Sequence, residues 1–173
     1  MSGNSSKTDL CGYAQTCCFT GPRPKNYPWG GGKEGEAEIA EKLKAAVQEA
    51  VGCGYRRFIS GMAAGVDMLA AEIVLQMREA MPERQITLEA AVPFPGQSRR
   101  WRKEVQREYE SILSRCDKVH FFAEAFSVAA YGARDRYMVE RSSLVIAVRG
   151  KPNGGTERTI CYARELNREI VLL

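Results

Sequence analysis

Ser60-Gly61-Met62-Ala63-Ala64-Gly65-Val66-Asp67 joins a short run suited to a strand, Arg57 to Ser60, to a run suited to a helix. Behind it Val66, Leu69, Ala70, Ile73, Val74 and Met77 recur at three and four, the period of one helical face, until Pro82 closes the run. Two glycines four residues apart allow a tight turn from strand into helix, and that unit implies a parallel sheet.

The same alternation extends in both directions. Thr16 to Thr20 reads as a first strand stopped by Gly21, and the Pro- and Gly-rich stretch Gly21 to Gly32 as a long loop. Ile39, Leu43, Ala46, Val47 and Ala50 mark a helix from Glu34 that Gly52 and Gly54 end. Ile86 to Val92 is a third strand, Trp101, Val105, Tyr109, Ile112 and Leu113 a third helical stripe, and Lys118 to Phe122 a fourth strand. A helix over Gly132 to Arg141, a strand over Leu144 to Val148, a helix over Thr156 to Leu166 and a strand over Ile170 to Leu173 complete the pattern. The expected architecture is α/β: one domain over 16–173, doubly wound, with a mostly parallel sheet and helices on both faces, preceded by a flexible segment over 1–15.

With 173 residues, 45% of them apolar and 27% charged, the chain has the composition of one ordinary globular domain. No apolar run approaches the roughly 20 residues of a membrane span, so no membrane partner is expected. Met1 to Asp9 is polar, unlike a secretory leader. Six cysteines (Cys11, Cys17, Cys18, Cys53, Cys116, Cys161) without a CxxC pair, and a single histidine, His120, offer little to a zinc site. They read as free thiols on buried strands and helix ends, in a reducing cytoplasm, with Cys17 and Cys18 on opposite faces of a strand. A net charge of +4 suits small anions better than duplex nucleic acid, and leaves a nucleic-acid partner open.

Ligands of such sheets sit beyond the carboxyl ends of the strands, where strand order reverses. Four segments would meet there: Thr20-Gly21-Pro22-Arg23-Pro24, the Ser60 to Asp67 turn, Pro93-Phe94-Pro95-Gly96, and Gly150 to Thr156 with its Asn153-Gly154-Gly155-Thr156 turn. The second and fourth would present N–H groups at helix N-termini, which favour phosphate, although either turn alone also reads as a plain cap. Neither is GxxxxGK[ST], and no GxGxxG follows the first strand, so neither P-loop nor ordinary dinucleotide chemistry has its sequence warrant. Arg23, stiffened by Pro22 and Pro24, is a cation for an anionic group or a solvated loop residue. Asp67 fits a helix-dipole role slightly better than a ribose contact, and Arg134, Asp135 and Tyr137 could converge on the same edge. Glu157 is the acid beside the second Gly turn. Arg99, Arg100, Arg102, Lys103 and Arg107 read as charges around a core Trp101 rather than a nucleic-acid patch, and His120 as a core histidine.

Taken in order, Cys17-Cys18-Phe19-Thr20-Gly21-Pro22-Arg23-Pro24, the Ser60 to Asp67 turn, Arg136-Tyr137-Met138-Val139 and Asn153-Gly154-Gly155-Thr156 resemble the YpsA-like branch of the SLOG superfamily. That Rossmann-like group includes DprA (Smf) and the Lonely Guy phosphoribohydrolases. The resemblance implies a pocket for a nucleotide or nucleotide derivative, to which Gly21, Arg23, Ser60, Gly61, Gly65, Asp67, Gly154, Gly155 and Thr156 carry over; Thr20, Pro22, Met62 and Tyr137 complete the expected ligand-binding set. It sets Arg134 at the spacing before Ser142 of a functional arginine in the phosphoribohydrolases; Glu157, by its place beside the second Gly turn, is either a helix N-terminal charge or the general acid or base if there is turnover. Pro22 replaces the histidine of a TGHRP motif, Ser143 an aspartate, and the second Gly turn is shorter than PGGxGTxxE, with Arg158 or Thr159 at the position of its acid.

Binding or sensing of such a ligand is therefore expected first. Cleavage of the base–ribose bond of a nucleoside monophosphate is the alternative, and DprA-like binding of single-stranded DNA a further one. No metal and no cofactor is expected. A homodimer is left open, with the Pro22 to Gly32 loop, carrying Tyr27 and Trp29, as contact surface or lid.

Overall fold

β1 (Thr16–Thr20) is buried along its whole length, and its alternating side chains divide the core in two. Cys17 and Phe19 face one layer and Cys18 the other, as the period of two requires. The computed structural model describes residues 14–28 and 33–173. The expected N-terminal segment up to residue 13, Cys11 included, and Trp29 to Gly32 lie outside the described residues.

After β1 come a 3-10 turn (Pro24–Asn26), α1 (Lys33–Gly52), β2 (Arg57–Ser60), α2 (Val66–Ala80), a 3-10 turn (Pro82–Arg84), β3 (Thr87–Val92) and α3 (Lys103–Arg115). Then follow β4 (Lys118–Phe121), α4 (Val128–Glu140), β5 (Leu144–Ala147), α5 (Gly155–Glu165) and β6 (Glu169–Leu172). All six strands are parallel, in the order β4-β3-β2-β1-β5-β6. The chain steps outward from β1 to β4, then returns to place β5 on the other side of β1, so the strand order reverses between β1 and β5. The carboxyl ends of those two strands form the crevice in which this architecture holds ligands.

One face carries α1, α2 and α3. Phe19 stacks on Phe58 at 6.0 Å, and Ile39, Leu43 and Val47 of α1, Val74 and Leu75 of α2 and Ile112 of α3 close over them. Lying between α1 and α3, α2 is apolar over most of its circumference. The other face is thinner: Met138 and Val139 of α4 and Ala163 of α5 cover Cys18, Ile59, Ala91 and Val145. No helix of the described residues is long and apolar enough to cross a membrane.

Several expected boundaries move. The 3-10 turn at Pro24 interrupts the stretch read as plain loop. Trp101 precedes α3 instead of lying in it: the turn that closes with the Trp101 N–H on the Ser98 carbonyl (2.8 Å) holds the indole edge-on against Tyr109 at 5.4 Å. The α4 helix begins four residues before Gly132, with Ser127 as its cap. His120 is not a core residue: β4 is an edge strand, so the side chain is partly exposed, its ring stacked on Phe122 at 4.4 Å beside Tyr137. The cysteine reading holds for Cys17 and Cys18 but not for Cys53 and Cys161, which are exposed, while Cys116 is partly buried. Cys53 lies just past the end of α1, and Cys161 sits on the outer side of α5, where no layer covers them.

Candidate functional site

The β2 turn is held in one conformation from several directions. The Met62 N–H donates to Ser60 Oγ (3.1 Å), and the Ser60 hydroxyl donates to the Asp67 carbonyl (2.8 Å). Gln97, from the loop after β3, donates to the Met62 carbonyl at 2.9 Å. Met62 therefore keeps a left-handed φ of 55° while fully buried, a conformation that costs free energy unless its surroundings enforce it.

The β1 loop lies across the start of α2. An added Cβ at Gly21 would fall 2.5 Å from the Val66 side chain, and one at Gly65, where φ is +107°, 2.7 Å from the Pro22 carbonyl. That carbonyl accepts the Val66 N–H (3.4 Å), and Asp67 Oδ2 accepts the Ala63 N–H (3.3 Å). Three N–H groups of the turn expected to cradle phosphate, those of Met62, Ala63 and Val66, are thus already bonded within the protein.

Arg134 reaches this turn from α4. Its Nη1 donates to the Gly61 carbonyl and lies 3.8 Å from Asp67 Oδ2, while its Nε donates to Asp135 Oδ1 at 2.6 Å. Arg134 is only 7% exposed, and Asp67 equally so. One cation between two carboxylates leaves the cluster acid-rich. Burial pushes Asp67 up to about 6 despite the pull of Arg134, and nearby Asp135 adds to the rise. Burial raises Asp135 as well, against Arg134, Arg158 and the Thr159 hydroxyl.

The N-terminus of α5 is more open. Asn153 takes φ 61° and Gly154 caps the helix without a side-chain hydrogen bond, leaving N–H groups of the first turn directed outward. Gly150 packs against Pro22, with an added Cβ 3.2 Å from the proline Cβ, so the β1 and β5 loops adjoin at the switch point. A cleft of about 470 Å³ runs between α4 and α5, lined by Asp135, Arg136, Glu157, Arg158, Thr159 and Tyr162 among others.

The expected site residues therefore fall into three groups. Thr20, Gly21, Pro22, Ser60, Gly61, Met62, Gly65, Asp67 and Arg134 form one packed unit at the carboxyl edge, with Arg23 exposed at its rim. Gly154, Gly155, Thr156 and Glu157 begin α5 beside it. Tyr137 departs from the edge to which it was assigned. Because α4 runs back along the sheet, a residue three positions on is displaced by about 4.5 Å, and its hydroxyl donates to Glu89 (2.6 Å) and accepts from Lys118 (3.1 Å) near the start of β4. Gln97, Phe126 and Tyr131 escaped the sequence reading, although Phe94, which Phe126 and Tyr131 meet, lies in one of the four segments expected at this edge: Gln97 carried no motif, and Phe126 lies in a stretch without periodicity, while the Tyr131 ring lies beside Arg134. Among the described residues, no group of three or more His, Cys, Asp or Glu side chains is arranged to hold a metal ion.

The family model YpsA, described as the YspA SLOG family, matches residues 17–169. A UPF0398 protein of Brevibacillus brevis is 28% identical over 96 residues, 54% of this chain and 50% of that protein, so the match spans half of that relative's length. An uncharacterized SPbeta prophage-derived protein of Bacillus subtilis is 26% identical over 141 residues, 74% of this chain and 81% of that one. Among solved structures, DNA processing protein A (DprA) of Streptococcus pneumoniae superposes with a TM-score of 0.61 at 19% identity, over 96% of this chain and 52% of that one. DNA processing protein A of Helicobacter pylori, described with its single-stranded DNA binding mode, gives 0.61 at 15% identity over 96% and 68%. At those identities the likeness concerns the fold.

Proposed function

The chain belongs to the YpsA SLOG family, and from that premise we propose that it binds a nucleotide or nucleotide-derived molecule at the carboxyl edge of the sheet. The observation that carries the reading is the cluster of buried Asp67 and Arg134 with half-buried Asp135 under the β1 and β2 turns. A buried arginine shared by two carboxylates is a poor device for stability alone, and carboxyls shifted upward at a crevice mark functional sites more often than scaffolds. In this reading the open first turn of α5 takes a phosphate, with Arg23 adding positive charge from the rim, and carboxylate oxygens accept sugar hydroxyls. The α2 turn shapes the floor, since three of its donors are already bonded.

A thermal-shift panel of adenosine, guanosine and pyrimidine nucleotides, ADP-ribose and cyclic derivatives tests it, on wild type and Arg23→Ala. Ligand at 100 times its dissociation constant adds about 2.7 kcal/mol, roughly 5 to 10 °C for a chain of this size. A shift selective for one class and reduced in Arg23→Ala supports the reading. No shift with any compound overturns it.

A second reading, hydrolysis of the base–ribose bond, is favoured by one observation: Glu157 and Asp135 line the same cleft. A carboxylate pair there has the chemistry of a general acid and base. DprA-like binding of single-stranded DNA draws on the similar fold and the exposed Arg99, Arg100, Arg102, Lys103 and Arg107, and requires an affinity that falls steeply with salt.

A further inference from the structure

Phe126 is 70% exposed and the nearby Val128 78%, more than any other large apolar side chain of the described residues. It does not project alone. Phe94, itself only 8% exposed, meets it edge-on with centroids 5.5 Å apart at 81°, and Tyr131 of α4 meets Phe94 at 5.8 Å and Phe126 at 6.5 Å, both steeply inclined. Edge-to-face contacts of this kind fix the plane of a ring, and at 70% exposure Phe126 keeps ring surface open to solvent.

The location gives this trio its meaning. Phe94 follows β3 and Phe126 follows β4, so both stand at the carboxyl edge of the sheet. The Tyr131 ring lies 5.9 Å from the Arg134 guanidinium carbon, which makes the aromatic patch continuous with the buried charge cluster. Apolar π-surface and a polar, charged crevice thus adjoin within one side chain's length.

We propose that Phe126, braced by Phe94 and Tyr131, is the stacking platform for the base of a nucleotide whose sugar lies beside Arg134. The inference rests on the nucleotide reading above and deepens it by assigning the base subsite. A flat heteroaromatic ring gains from one exposed, oriented ring, whereas an acyl chain needs a longer apolar groove than the exposed Phe126 and Val128, with the exposed Glu124 near them in the chain, provide. Of the three platform side chains only Tyr131 carries a hydrogen-bonding group. Discrimination between adenine and guanine is accordingly weak, and discrimination between any base and none is strong.

Titration calorimetry with AMP, GMP and ribose 5-phosphate, on wild type, Phe126→Ala and Phe126→Trp, tests the assignment. Wild type is expected to bind AMP and GMP about tenfold tighter than ribose 5-phosphate, the scale of one base-on-ring stack. Phe126→Ala brings the three within about twofold of one another, and Phe126→Trp restores the preference. Preference that survives Phe126→Ala overturns the platform, as does ribose 5-phosphate binding the wild type as tightly as AMP. If sedimentation shows that Phe126→Ala converts a dimer to a monomer, the ring is covered by a second copy and the base subsite is wrong. Failure of all three compounds to bind overturns the nucleotide reading itself, and the platform with it.

Discussion

Arg134 of α4 and Asp67 of α2 meet at 3.8 Å across the carboxyl edge of the sheet, joining helices that lie on opposite faces. The Gly61 carbonyl accepts from the same guanidinium, so the arginine clamps the β2 turn from above. Glycine at 61 is what admits it: a Cβ there would lie 2.6 Å from Asp67 Oδ2 and closer still to the guanidinium. Replacing Arg134 by Met leaves the buried Asp67 carboxylate and the half-buried Asp135 without their cation. The expected loss is about 3 to 5 kcal/mol, read by urea denaturation, with Arg134→Lys losing less. A loss under about 1 kcal/mol for Arg134→Met would mean that the cluster is solvated and the clamp does not hold.

Asp67 binds its proton more tightly folded, at about 6, than in an unfolded chain, near 3.9. Its contribution therefore grows as pH falls through about 6, is complete below about 3.9, and is absent above about 6. Relative to Asp67→Asn, the wild type should gain about 1.4 kcal/mol for each pH unit descended inside that window. Denaturation of both proteins between pH 4 and 7.5 measures the difference, in which titration of Asp135 and the surface acids largely cancels. Parallel pH profiles for the two would place the Asp67 carboxyl in ordinary solvent.

The approach of the β1 loop to α2 depends on Gly65. Its φ of +107° is open to glycine alone in practice, and an alanine methyl there would meet the Pro22 carbonyl at 2.7 Å. Gly65→Ala should cost about 1 to 3 kcal/mol and, by pushing Pro22 away from Val66, weaken ligand binding together with stability. Gly52→Ala is the control, because nothing lies within 4 Å of an added Cβ there. Equal stability of the two variants would contradict the close approach.

Most of the architecture was legible because its determinants are local. The Val66 to Met77 repeat and the short apolar runs before Gly61, Pro93 and Gly150 carry their periods on the surface of the sequence, and β1 and β2 fall where those runs predicted. What escaped depends on partners distant in the chain. His120 reads as core until β4 proves to be an edge, and the Ser60 to Asp67 turn reads as a phosphate cradle until Pro22, some 40 residues away, is found bonded across it. The direction of α4 separates Arg134 from Tyr137, although their spacing sets both on one helical face. Phe126 carried no signal, since an exposed phenylalanine in an aperiodic stretch becomes informative only once Phe94 and Tyr131 are seen beside it.

Whether the ligand is turned over depends on Glu157, which begins α5 and lines the cleft that Asp135 also enters. Glu157 stands in the first turn of α5, at the open helix N-terminus. Asp135, shifted upward by burial, is the better-placed acid but is bonded to Arg134. The carboxyl whose proton burial favours is thus held by Arg134, so incubation of the wild type with AMP should yield no free adenine by chromatography above the spontaneous background. Glu157→Gln should then leave nucleotide affinity within about threefold, since less than 1 kcal/mol is at stake in one partly exposed helix-terminal charge. Adenine release by the wild type that disappears in Glu157→Gln, with affinity retained, would reverse the order of the two readings and make Glu157 the catalytic acid.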